Sequence, residues 1–529
     1  MNKILSLFCF ALLPFMAVAQ DDFVVRHGGC LPDVEPTAAD GTLLAPAKRG
    51  LPAIINQWDP NRVYHQLVIL VSYAGDSVEF SREDPKAAYD AIFNQPGYNE
   101  RKGPGCMADY FREQSGGMFN VQFDVYGPYK VSQKAQPYEK PTASTKNYGR
   151  TALMEATNML LQEHPDIDFS QYDWNGNHSV NQVIYVCAGY AGNVSADIAY
   201  GYIWPNTSTF TTITTPDGYK ISDYTASAEL WPNNASCGIG TICHEYTHSL
   251  GLPDVYPTSS SAGFSVLDEW DLMDGGNFTN YGWCPPNYTP LEKMLLGWIT
   301  PVELTEPSTI TNLQPSTEGG DIYRIKHTDN EWLLLENRQQ RKWDAGAPGH
   351  GLVIYHVNYE ASRWAGNTVN NVAGKPYYCL VHADGLDYDQ WYDLLTSRMP
   401  TTLYQNSERM NSRLLSTAPY PWQTDSTVTV NDSLTDSSVP ASLMYNANAA
   451  GNTLLGMPIT DIQQAADGTV SFDFMGGGTL LSVREVASPS VRQPVAVYDL
   501  NGRQQQSLSG RKGIYLIRQA DGTIRKVLK

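Results

Sequence analysis

Basic charge is in short supply in this 529-residue chain, where 36 Lys and Arg stand against 55 Asp and Glu for a formal net charge of −19 at pH 7. Polyanions are held mainly by clusters of Lys and Arg, so the balance argues against nucleic acid or an anionic membrane surface as a partner. Long hydrophobic runs are missing too. Beyond the first twenty residues no segment is long and apolar enough to span a bilayer, and no repeat of solenoid period is visible. Cysteine is sparse, at 8 residues. With Cys9 assigned to a leader, the remaining Cys30, Cys106, Cys187, Cys237, Cys243, Cys284 and Cys379 are odd in number, so at least one thiol per chain is unpaired. Hydrophobic residues make up 42% and charged residues 17%, the proportions of a globular rather than a disordered protein.

What is present starts with Lys3, an apolar run over 4–17 and the small-residue site Ala17-Val18-Ala19, which together read as a secretory signal over 1–19 cut before Gln20. The segment 20–57 reads as an N-terminal piece, a short prosegment. Length alone calls for several domains. Buried strands are expected over 66–72, 118–126 and 182–188, and helices over 107–114 and 148–164. This alternation gives an α/β catalytic domain over 58–300. From about residue 300 the texture changes to short β-prone runs over 323–326, 332–336, 352–357 and 469–474, a β-rich, sandwich-like domain over 301–475 with a polar insertion from about 396 to 452. Gly476-Gly477-Gly478 reads as a flexible boundary before a small C-terminal β domain over 479–529.

The chemistry is concentrated in His244-Glu245-Tyr246-Thr247-His248-Ser249-Leu250-Gly251-Leu252-Pro253-Asp254. Four residues along a helix return nearly to one face, so His244 and His248 can offer two imidazoles to one zinc ion while Glu245 serves as general base. Gly251 can end the helix in a left-handed conformation and reverse the chain, bringing Asp254 round as a third, oxygen ligand. Three protein ligands leave a fourth position for water, the pattern of a catalytic zinc site. Glu269 competes for the third place, because its distance from His248 is near that at which thermolysin-like enzymes supply a glutamate. The glycine turn favours Asp254. Downstream, Trp270-Asp271-Leu272-Met273-Asp274 supplies a methionine and a turn, and metzincin-type proteases place such a methionine beneath the metal; Met273 as plain core packing is the simpler alternative. Asp173, Asn175 and Asn177 alternate oxygen side chains like a degenerate calcium loop, with a polar turn as the competing reading. Gly28-Gly29-Cys30-Leu31-Pro32-Asp33 resembles the cysteine-switch segment of matrix metalloproteases, which would let Cys30 hold the metal in a precursor; a disulfide or an idle N-terminal thiol is the competing and simpler reading.

Met107-Ala108-Asp109-Tyr110-Phe111-Arg112-Glu113-Gln114-Ser115-Gly116-Gly117, Ile203-Trp204-Pro205, Gly238-Ile239-Gly240-Thr241, the segment 291–298 and Leu335-Glu336-Asn337-Arg338 extend the likeness beyond the zinc motif. Over roughly 68–474 the chain resembles the immune inhibitor A family of secreted metalloproteases. That resemblance implies a zincin-type zinc endopeptidase acting on proteins or peptides, with His244, His248 and Asp254 on the metal and Glu245 activating water. The loop from Tyr256-Pro257 to Val266 departs from the family pattern. The tail, with Val495-Ala496-Val497-Tyr498-Asp499 and Gly513-Ile514-Tyr515-Leu516-Ile517 before a basic end, looks like the C-terminal sorting domain of type IX secretion cargo. This implies the type IX machinery as a partner and a mature protein released or retained on the outer cell surface. A surface-binding adhesin with a silent zincin domain is the alternative from a different class, and the intact Glu245 and histidine pair count against it.

Overall fold

The computed structural model describes residues 24–25, 58–74, 78–134, 143–191, 194–195, 203–231, 234–259, 265–385, 415–424 and 428–482, with four short strands between 496 and 528. The signal segment, Cys30 and most of the N-terminal piece lie outside the described residues. The fold is mixed α/β with several sheets.

At its centre is strand β1 (Val63–Ala74), nearly all of it buried. Its apolar run is continuous because both faces are covered. Val68 and Leu70 point into the core that holds the helices around the histidine motif, whereas Leu67, Ile69 and Val71 point into a second core on the opposite face. Helix α1 (Pro85–Asn94) follows; Pro85 starts it and the Asp84 side chain accepts from the Ala87 N–H as its cap. Helix α2 (Met107–Gln114), strand β2 (Asn120–Lys134), helix α3 (Ala143–Glu163) and strand β3 (Val183–Tyr190) come next, matching in kind the elements expected from periodicity. Strands β4 (Asn206–Thr214) and β5 (Lys220–Leu230) complete a five-stranded sheet in the order β2-β1-β3-β5-β4. All neighbours in it are parallel except β4, which runs antiparallel along one edge. That edge strand is rich in Thr and half exposed, so it offers no apolar alternation to read from sequence.

Helix α4 (Gly240–Ser249) carries the histidine motif and is buried along its length. Gly240 is required by close approach: a Cβ there would lie 2.1 Å from the Asn277 carbonyl oxygen. Helix α5 (Pro290–Leu295) closes the α/β part behind a Thr289–Glu292 capping box.

The second part is a sandwich. Strands β6 (Val302–Glu303), β7 (Ser308–Leu313), β8 (Tyr323–Lys326), β9 (Glu331–Arg338), β10 (Gly351–Asn358), β11 (Tyr378–Leu380), β12 (Ile459–Gln464), β13 (Val470–Phe474) and β14 (Thr479–Ser482) form two sheets, β11-β10-β9-β8-β6 and β12-β13-β7-β14. Leu333, Leu335, Leu352 and Ile354 pack between them against Phe472 and Phe474. Every residue of β9 and β10 is buried, because their other face, with Trp332, Leu334, Val353 and Tyr355, continues the core that surrounds α4. The two parts therefore share one hydrophobic core.

Two sequence expectations need correcting. The triglycine is a turn inside the sandwich, all three glycines having positive φ; β14 pairs in parallel with β7 directly after it. Backbone pairing of a short strand directly behind three glycines thus carries the sandwich to residue 482, beyond the boundary at 475. The polar insertion is also partly built in, since Leu434 and Met444 are buried in the sandwich core. Beyond it, Ala496–Asp499, Gln504–Gln505, Ile514–Arg518 and Ile524–Leu528 form an antiparallel four-stranded sheet. The six cysteines among the described residues are all buried free thiols.

Candidate metal centre

Helix α4 presents His244 and His248 one turn apart, ring centroids 4.8 Å from each other. The helix is pinned before any ligand acts. Tyr246 donates from its hydroxyl to Gln66 Oε1 on β1 at 3.1 Å, Thr247 is paired with the Tyr288 hydroxyl, and the Glu245 carbonyl accepts from the Thr207 hydroxyl on β4 and from the Thr225 hydroxyl on β5. Gly251, at φ +109°, reverses the chain as its position in the motif requires.

After that turn Asp254 arrives with Oδ1 3.2 Å from His244 Nε2 and 3.1 Å from His248 Nε2. His244, His248 and Asp254 are the group of potential ligands that converges among the described residues, one donor atom from each lying within 4.8 Å of the others. All three are 1% exposed. Each imidazole spends its other nitrogen on a backbone carbonyl: His244 Nδ1 donates to Leu272 O at 2.8 Å, and His248 Nδ1 to Leu252 O at 2.7 Å. With Nδ1 protonated, a neutral imidazole turns a lone pair at Nε2 toward Asp254. Three electron-rich atoms then face one point, an arrangement that needs positive charge between them. Protonation answers the same demand: burial alone would pull the His244 imidazole down, but the Asp254 hydrogen bond and the Glu245 and Asp254 charges push it up to about 8. Burial would likewise raise the Asp254 carboxyl, and His248 and His244 outweigh it and hold it well below its usual range. A donor set of two nitrogens and one carboxylate oxygen, with both imidazoles oriented by carbonyls, fits zinc.

The methionine turn touches this site through its backbone. Leu272 supplies the carbonyl that orients His244, and the Met273 carbonyl accepts from Val255 N–H, next to Asp254, at 2.8 Å. Met273 itself is fully buried. Glu269 sits in a single 3₁₀ turn, Asp268–Trp270, half buried and outside the converging group. Asp173 uses both carboxylate oxygens on its own loop, accepting from Asn177 N–H at 3.1 Å and His178 N–H at 2.8 Å; Asn175 and Asn177 are exposed.

Sequence reasoning missed the groups that hold the site from afar. Asn367, in the sandwich part, accepts from Asp254 N–H at 2.7 Å and donates to Asp254 Oδ2 at 2.8 Å. Its only sequence signal is membership of the polar run Asn367-Thr368-Val369-Asn370-Asn371, which by itself reads as a turn. Thr207 and Thr225 carried none.

The profile of the immune inhibitor A peptidase M6 catalytic domain matches residues 76–182 and 204–292, which take in β2, β4, β5 and α4 with the histidine motif. The chain carries a metalloprotease domain. Similar proteins include immune inhibitor A of Bacillus thuringiensis subsp. alesti, 26% identical over 272 residues, which are 43% of this chain and 38% of that protein. Pre-pro-metalloprotease PrtV of Vibrio cholerae serotype O1 (strain M66-2) is 25% identical over 251 residues, 42% of this chain and 26% of PrtV. The match to this metalloprotease thus spans well under half the length of either relative.

Proposed function

We propose that this chain is a secreted zinc endopeptidase of the immune inhibitor A type, with a zincin arrangement in its α/β part, that hydrolyses peptide bonds in extracellular proteins. The observation that carries the reading is the convergence of His244 Nε2, His248 Nε2 and Asp254 Oδ1 on one point while both Nδ1 atoms are committed to carbonyls. Zinc held there would supply Lewis acidity, making water more acidic and the scissile carbonyl more electrophilic. Glu245, the residue after His244 on the same buried helix, takes the proton from the attacking water. As the C–N bond breaks, the same carboxyl returns that proton to the leaving amine. Asp254, rather than Glu269, is the third ligand in this proposal.

Calcium at Asp173, Asn175 and Asn177 is not part of it, since the Asp173 carboxylate already closes its own turn. Secretion rests on the signal-like leader and, for the final step, on the likeness of the tail to type IX sorting domains. Among the described residues no helix is long and apolar enough to cross a membrane.

The test is incubation of the purified mature protein with a diverse peptide library, with and without a zinc chelator, cleavage sites being read by mass spectrometry. Internal cuts that vanish on chelation and return with zinc are expected. Cuts that persist at saturating chelator, or no cuts by zinc-loaded protein, would sink the proposal.

A further inference from the structure

Asp254 is gripped from outside the α/β part at two points by one side chain. Asn367 follows helix α6 (Ala361–Ala365) and its capping Gly366, is 7% exposed and holds φ +53°, a left-handed conformation that Asn tolerates better than most residues. Because Asp254 N–H can only donate, the Asn367 amide must offer it Oδ1, at 2.7 Å. That leaves Nδ2 to donate to Asp254 Oδ2, at 2.8 Å. One carboxylate oxygen is thereby occupied and the other, Oδ1, is left facing both imidazoles.

Neighbouring residues fasten the rest of the same loop. Asn370 Nδ2 donates to Val255 O at 2.9 Å, the Thr258 hydroxyl donates to Asn367 O at 2.8 Å, and Asn371 Oδ1 accepts from Ser259 N–H at 3.1 Å. The described residues 255–259 after Asp254 contain no helix or strand, so these bonds do what a regular element would otherwise do.

We infer that Asn367 is a positioning residue for the metal centre: through its two bonds to Asp254 it selects the carboxylate oxygen and angle offered to the metal, so that the sandwich part completes the ligand set of the α/β part. The inference rests on the ligand assignment proposed above. Groups that orient metal ligands typically contribute 10- to 100-fold to metal affinity. This role also ties metal loading to the docking of the second part, because both bonds from Asn367 reach Asp254 from outside the α/β part.

The experiment compares wild type with Asn367→Gly, Asn370→Ala and Asp254→Ala in the full mature chain. Glycine keeps the left-handed backbone at little cost while removing the amide. Asn370→Ala loosens the same loop without touching Asp254. Zinc affinity is measured by competition with a chromophoric chelator, the absorption spectrum of the cobalt-substituted protein reports ligand geometry, and the melting midpoint in saturating zinc reports folding. Expected are a 10- to 100-fold weaker zinc affinity and an altered cobalt spectrum in Asn367→Gly, with a wild-type cobalt spectrum and a smaller loss of affinity in Asn370→Ala. Affinity within twofold of wild type in Asn367→Gly, while Asp254→Ala loses zinc, overturns the positioning role and spares the ligand assignment. Equal losses in Asn367→Gly and Asn370→Ala with unchanged spectra reduce Asn367 to loop stability and also overturn it. Zinc retained at full affinity by Asp254→Ala overturns the ligand assignment and this inference together.

Discussion

His244, Glu245 and His248 share one helix yet differ in what their loss should do. Glu245→Ala is expected to keep bound zinc and lose catalysis by about 100- to 10,000-fold, the usual contribution of a positioned acid or base; zinc analysis beside peptide turnover checks it, and near-normal turnover would end the assignment. The third-ligand question is settled by zinc content after identical dialysis of Asp254→Ala and Glu269→Ala, each first shown to melt cooperatively. Only Asp254→Ala should lose metal. The residues of this motif were legible because helical spacing is local: two imidazoles four residues apart meet whatever surrounds them. Asn367 was not legible, since it lies 113 positions from Asp254 and no local pattern marks a polar side chain for so distant a partner.

At the scale of elements, the methionine turn and α5 share an acidic pair. Burial, with Asp271 and Glu292 close together, drives the Asp271 carboxyl well above its usual range. Burial pushes Glu292 up to about 7 from 4.5 in spite of the hydrogen bonds it accepts from Thr289. The unfolded chain releases the Glu292 proton near pH 4.5 and the folded chain keeps it to near 7, so between those values folding binds a proton and stability falls as pH rises. Glu292→Gln cannot release that proton. Relative to wild type it should gain up to about 1 kcal/mol per pH unit across this window and level off above it, read from urea unfolding at pH 5, 6 and 7 in saturating zinc. Parallel pH profiles for the two proteins would contradict this.

The elements themselves were uneven in visibility. Strand β1 and helices α2 and α3 stand out because buried runs and helical spacing reflect cores on their own two sides. Strand β4 stands at a sheet edge and its Thr residues are shaped by a neighbour rather than by an apolar face. Its contribution to holding α4 comes through the Thr207 hydroxyl, which pattern alone cannot assign.

Over the whole molecule, the joint between the α/β part and the sandwich is both apolar and charged. Arg338 on β9 is fully buried; it donates to both Asp344 carboxylate oxygens, to Glu336 and the Tyr355 hydroxyl at 3.2 Å each, and to Trp270 O at 3.3 Å, just before the methionine turn. Removing one partner of a buried ion network strands the others, so Arg338→Leu is expected to cost about 3–5 kcal/mol. Denaturant unfolding checks the value, and a cost under about 1 kcal/mol would show the network to be dispensable. Export belongs to the same scale. Because β14 pairs with β7, a truncation that tests the tail must follow Ser482, not Gly478. Expressed in a cell with type IX secretion, the chain ending at 482 should fold and keep peptidase activity but fail to reach the surface or medium; equal external amounts of full-length and truncated protein would refute the sorting role.

The sequence by itself determined the residue types of the candidate centre and the kinds of element around it: a helix presenting two imidazoles, a glycine reversal behind it, a carboxylate after that turn, and α/β elements ahead of short β runs. These follow from short-range periodicity and from residue types that few other tasks require. Only the tertiary structure decided which oxygen of Asp254 faces the imidazoles, that β9 and β10 are covered on both faces, and that the triglycine turns back into the sandwich. Each of those depends on groups far apart in the chain meeting in a dry interior, where a hydrogen bond or an apolar face must find its partner and the spacing along the sequence no longer says which partner it will be.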